Sequence, residues 1–164
     1  PNLMQRESIE LFKRQGVYSE KELLARAGVL CELYAKTVNI EALTMIDMAR
    51  KQILPAVESY AAKLAETLAT KKALSPLLGG KYETSLLTKL SGLTDDIAEA
   101  ADALEASLVA YHKIGDVTEA AYFIRDEVLP KMDALRAPAD EAERFTAAEY
   151  WPFPTYGDLL FGVK

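Results

Sequence analysis

From Asn39 onward, apolar residues recur in steps of three and four through Ala42, Ile46, Ala49, Ile53, Val57, Tyr60, Leu64 and Leu68. Nothing else in the chain restricts its fold so tightly, because only a helix puts such a series on one face. Taken from Ile40 to Lys72, the helix would be roughly 50 Å long, against the ~30 Å diameter expected for a compact chain of this size. A second series answers it: Leu86, Leu90, Leu93, Ile97, Ala101, Leu104, Leu108 and Tyr111. Between the two, Ser75-Pro76 and Gly79-Gly80 mark a reversal. The expected architecture is all-α, an elongated antiparallel helical bundle.

Shorter elements fill the remainder. A first helix is expected from Leu3 to Arg14, carrying Ile9, Leu11 and Phe12 and stopping at Gly16. Ser19 and Glu22 then form a capping box ahead of a helix with Leu23, Ala27, Leu30 and Tyr34 on one face. Asn39, a good N-cap residue, is expected to start the long helix afresh. Gly92 marks a local break, and Asp116 caps a further helix whose stripe is Val117, Ala121, Ile124, Val128, Met132 and Leu135. Ile53-Leu54-Pro55-Ala56 and Val128-Leu129-Pro130-Lys131 each set a proline inside an apolar helical pattern, so each predicts a kink, with a fresh helix start as the alternative at Pro55. Past Pro138 a short acidic helix around Asp140 to Arg144 leads into the tail. Residues 1–149 read as the bundle and 150–164 as an aromatic, proline-rich tail on a single domain.

Composition removes several function classes. Alanine supplies 25 of the 164 residues, and no run approaches the ~20 uncharged residues of a membrane helix. The net charge of −6 opposes non-specific binding to a phosphate backbone, so neither nucleic acid nor a membrane is an expected partner. With Cys31 and His112 as the only residues of their types, the chain cannot build a zinc finger, an iron-sulfur site or a two-histidine metal bundle. His112 reads as a helix-end residue and Cys31 as small core packing. Asp95, Asp96, Glu99 and Asp102 spread over more than one helical face, and Asp95 and Asp96 suit a helix first turn. Gly79-Gly80-Lys81 lacks the rest of a phosphate loop and reads as a turn. No catalytic, metal-ligating or cofactor-binding residue emerges.

The tail is the exception to this plainness. Tyr150, Trp151, Phe153, Tyr156, Leu159, Leu160 and Phe161 crowd seven large apolar groups into a stretch that Pro152 and Pro154 hold out of helix. Thr155 and Asp158 are positioned to cap one last turn. Two readings stand: the tail folds back on the bundle, or Trp151, Phe153, Tyr156, Leu160 and Phe161 dock on another domain or subunit, where such side chains are preferred anchors.

Three segments carry a family resemblance: Asn39-Ile40-Glu41-Ala42 with Thr44 and Met45, Ile53-Leu54-Pro55-Ala56, and the run from Trp151 through Pro152-Phe153-Pro154-Thr155-Tyr156-Gly157-Asp158-Leu159-Leu160 to Phe161. Leu11-Phe12, Gly16-Val17, Glu22-Leu23, Arg26 and Tyr34 agree with them. Together they resemble the C-terminal region of type III glutamine synthetases. The resemblance implies a cytoplasmic parent enzyme that joins ammonia to glutamate using ATP and divalent ions such as Mg²⁺, in a dodecamer of two stacked hexameric rings. Its metal and nucleotide ligands lie upstream, and none of those motifs occurs here, so this region is expected to be non-catalytic, with the catalytic domain and neighbouring subunits as partners. The rival expectation is an autonomous helical adaptor or sensor domain binding a protein partner.

Overall fold

A computed structural model describes residues 4–154 and 156–162. Every regular element among them is helical: α1 Arg6–Arg14, α2 Glu20–Met48, α3 Leu54–Leu74, α4 Lys81–Tyr111, α5 Val117–Phe123, α6 Leu129–Phe145 and α7 Tyr156–Phe161. Two π-helical turns, Ala49–Ile53 and Ile124–Val128, join α2 to α3 and α5 to α6 without a break. None of these helices is long and apolar enough to cross a membrane.

Local chemistry sets the boundaries. Gly16 ends the first helical segment at φ +66, a conformation glycine adopts at little cost. The expected start at Leu3 lies outside the described residues. At the head of α2 the Ser19 amide donates to Glu22 Oε2 at 2.8 Å, and the Glu22 amide donates back to Ser19 Oγ at 3.3 Å, which completes the capping box. Asp116 caps α5 by accepting from the amides of Thr118 and Glu119. In the loop between α3 and α4, a Cβ on Gly80 would stand 2.4 Å from Leu68 Cδ1, so a larger residue there would oblige the end of the Leu68 side chain to move.

Three expected boundaries do not exist. Asn39 lies inside α2, with its Oδ1 buried and without a hydrogen-bond partner among the described residues; the buried series Ala35, Val38, Ala42 and Ile46 carries the helix past it. Gly92 lies inside α4 between the buried Leu90 and Leu93, whose packing outweighs the cost of one helical glycine. The separate acidic helix after Pro138 is likewise the end of α6, which holds Pro138 in its interior between buried Leu135 and Ala142.

Pro55 and Pro130 enter by one route. Leu54 donates its amide to the Ala49 carbonyl and Leu129 donates to that of Ile124, each five residues back. A proline one residue later lacks an amide and would press its ring on the carbonyl four residues behind it. Wider winding just before the ring takes that carbonyl out of the way, so neither proline opens a loop. The buried positions fit too: Ala49, Ile53, Val57 and Ala61 run in successive steps of four, and the wider turn keeps such steps on one face.

The chain forms two compact units. The first comprises Pro1–Leu43 and Ala106–Pro130; its core holds Leu23, Ala27, Cys31, Ala35, Val38, Ala42, Leu108, Ala120, Ile124 and Val128. Leu30 and Tyr34, expected on that face of α2, are instead 54 % and 37 % exposed; Cys31 and Ala35, one position further on, take the buried places. Val117 and Ala121 give way in the same manner to Ala120. The second unit comprises Thr44–Glu105 and Lys131–Lys164. Its core is built on Ile46, Ile53, Val57, Leu64, Leu90, Leu93, Ile97, Leu104 and Leu135.

Ion pairs tie helices within the second unit. Arg50, in the first π-turn, donates to Asp102 at 2.6 Å and to Glu105 at 2.7 Å, and Lys89 meets Glu141 at 2.6 Å. Lys71 pairs with Glu83, whose side chain is only 10 % exposed. Lys71, and then the residue's own backbone N–H in the first turn of α4, hold the Glu83 carboxyl below the ordinary 4.5. A carboxyl whose folded pKa lies below its unfolded one adds stability above the unfolded value, and loses it as pH falls through the folded value. Stability followed by circular dichroism from about pH 6 down to about pH 2 is therefore expected to decline more gently in Glu83→Gln than in the wild type.

Candidate docking face

The tail emerges from the second unit as two pieces of different character. Tyr150 follows a turn in which its amide donates to the Ala147 carbonyl at 2.9 Å. Its ring stands 5.3 Å from that of Tyr60 on α3. Burial first, and Tyr82 beside it second, push the Tyr60 phenol above its ordinary value. Trp151 and Phe153 meet edge to face at 6.1 Å, both half-buried, with Pro152 and Pro154 exposed. This first piece is seated on its own unit.

The second piece is not. Leu159, Leu160 and Phe161 on α7 are 67 %, 70 % and 82 % exposed. Leaving three consecutive large apolar side chains in water forgoes about 1.5–3 kcal/mol for each one that burial would remove from it. Tyr156 opens α7, and its side chain, like Thr155 of the expected cap, lies outside the described residues. The structure thus brings Trp151 and Phe153 together and leaves Leu160 and Phe161 exposed on α7.

Elsewhere the polar residues have ordinary occupations. Cys31 is buried among the core residues of α2. His112 follows the last residue of α4, lies with its ring tilted against that of Tyr111 at 5.1 Å, and donates its amide to the Leu108 carbonyl. Asp95 and Asp96 are not in a helix first turn as expected; they lie mid-way along α4 and are exposed, because that helix begins fourteen residues earlier, at Lys81. Asp102 is engaged by Arg50. Among the described residues no group of three or more His, Cys, Asp or Glu is placed to hold a metal ion, so the donors do not fit the divalent ions of the implied parent reaction.

Sequence reasoning missed a second apolar surface, on the first unit. Phe12, Tyr18, Leu23, Val29 and Leu30 line a groove of about 540 Å³ between α1 and α2, with Arg26 lying over the Tyr18 ring at 4.6 Å. Large residues continue along α2 beyond it, Leu33 and Ile40 more than 60 % exposed and Leu43 nearly half. Their spacing from Val29, in steps of four, seven and three, is present in the sequence beside the stripe through Leu23, Ala27, Leu30 and Tyr34.

The profile of a family described as "Glutamine synthetase C-terminal domain" matches residues 1–72. A glutamine synthetase of Butyrivibrio fibrisolvens is 36 % identical over 161 residues, spanning 96 % of this chain and 23 % of that protein. A type-3 glutamine synthetase of Dictyostelium discoideum is 25 % identical over 98 % of this chain and 22 % of its own length. A glutamine synthetase of Bacteroides fragilis (strain YCH46) is 31 % identical over 88 % of this chain and 20 % of its own length. The chain therefore spans between a fifth and a quarter of the relatives it matches.

Proposed function

Because the chain belongs with the C-terminal domains of glutamine synthetases, a type-3 enzyme among its relatives, we propose that it is a non-catalytic structural module of a longer glutamine synthetase. In this reading the parent joins ammonia to glutamate at the expense of ATP, with divalent metal, on residues outside this chain. The tail attaches the module to the catalytic portion or to neighbouring subunits of a cytoplasmic homo-oligomer, a dodecamer by family resemblance.

The observation that carries the attachment is the contrast inside the tail. Trp151 and Phe153 are half-buried on their own unit, whereas Leu159, Leu160 and Phe161 project into solvent. A self-contained adaptor or sensor would keep such groups in its core; a module with a missing neighbour leaves them bare. Calorimetric titration of the chain with ATP and Mg²⁺ tests the non-catalytic part. No stoichiometric heat is expected, and binding at micromolar affinity would overturn the reading.

A further inference from the structure

Helix α2 is inside out. Between Ala27 and Leu43 it buries mostly small residues, Ala27, Cys31, Ala35 and Ala42, and turns large ones outward: Val29 at 63 %, Leu33 at 61 %, Ile40 at 63 % and Leu43 at 48 % exposure. With Lys36, these residues occupy positions 29, 33, 36, 40 and 43, alternating steps of four and three, which is the seam along which one helix packs on another. At about 100° per residue the seam points directly away from the buried face. Its first residue, Val29, also lines the groove between α1 and α2, so groove and seam form one continuous surface on the first unit.

We infer that this face of α2 is a docking seam, covered by an amphipathic helix from the remainder of the parent polypeptide. The inference rests on the reading that the chain is part of a longer glutamine synthetase. Two observations select this occupant. The relatives are more than four times as long as the matched region, so over three quarters of a protein of that length is available to supply the helix. A second copy of the chain is opposed by charge. Laying Val29 and Leu33 against the partner's Leu43 and Ile40 in antiparallel places the two-fold axis at Lys36, and a parallel pair in register also sets Lys36 on Lys36. Either way two ammonium groups meet in the middle of an apolar seam. The fitting helix carries leucine- or isoleucine-type residues at three-four spacing and no cation opposite Lys36. Glu32 already holds that lysine at 2.6 Å on the seam's edge.

Cysteine labelling of the full-length parent protein decides. Leu33→Cys and Ile40→Cys each replace an exposed side chain, so neither disturbs the core, and retained glutamine synthesis checks that the assembly is intact. Maleimide labelling of each position, read by peptide mass, is expected to be about tenfold or more slower in the native parent than in the same protein unfolded in urea, and to stay slow when the assembly is diluted to single subunits. Slowing short of that margin overturns the proposal while leaving the structural-module reading intact. Protection that vanishes on dilution overturns it as well, since a neighbouring subunit would then be the cover. An unsubstituted parent that makes no glutamine, with both positions protected in its cysteine variants, would sink the module's assignment and not the seam.

Discussion

Replacing Leu160 and Phe161 together by alanine in the full-length protein is expected to weaken subunit assembly or domain packing by two to three orders of magnitude, at about 2 kcal/mol for each anchoring side chain. The same double substitution is expected to leave the melting temperature of the 164-residue chain unchanged. Both side chains are at least 70 % exposed there and give up nothing when shortened. Sizing of the full-length variant by light scattering, beside thermal melts of the chain, makes the comparison. Trp151→Ala provides the contrast. Half-buried against Phe153, it is expected to lower the melting temperature of the chain itself. Unchanged assembly in the Leu160→Ala, Phe161→Ala variant would rule out attachment through α7.

Leu104→Ala is expected to be among the most damaging single truncations. Leu104 is fully buried on α4 in the core of the second unit, and removing its isobutyl group costs the transfer energy plus that of the cavity left behind, about 3 kcal/mol. For a chain of this size that is a fall of about 10 °C in melting temperature. Leu43→Ala, the same change at a position 48 % exposed on the outer face of α2, is expected to move the melt only slightly. Comparable losses from the two would mean that the outer face of α2 is already packed in the chain alone.

That pair of leucines also shows where sequence and structure part. Signals acting over a few residues are legible: the Ser19–Glu22 box, the Asp116 cap, the glycine at 16 and the reversal between Leu74 and Lys81 all stand where the residue types put them. So does α4, whose single apolar stripe admits one reading. Helix α2 carries apolar residues on opposite faces, and periodicity gives the spacing of a stripe without saying which stripe is buried. Expectation followed the larger side chains, Leu30 and Tyr34, whereas packing chose Cys31 and Ala35, small enough for close helix approach. Asn39, Gly92 and Pro138 misled for a related reason. Each is a local breaker, and at each the buried residues on either side hold the helix together. Of the candidate site, the inventory was readable and the division was not. Nothing in the order of Trp151, Phe153, Leu160 and Phe161 announces that the first pair is seated and the second bare.

The π-turns at Ala49–Ile53 and Ile124–Val128 have a bearing on how such chains vary in length. Each accommodates one residue more than the α-helix it interrupts while keeping both flanks in phase with their cores. Loss of one residue there can be absorbed by reverting to ordinary winding, whereas the same loss in the middle of α4 rotates everything beyond it by about 100° and turns its stripe out of the core. Single-residue gaps among relatives are therefore expected to gather at these two turns. Because ordinary winding would drive the proline ring into the carbonyl four residues back, a relative lacking the extra residue is expected to lack the neighbouring proline as well.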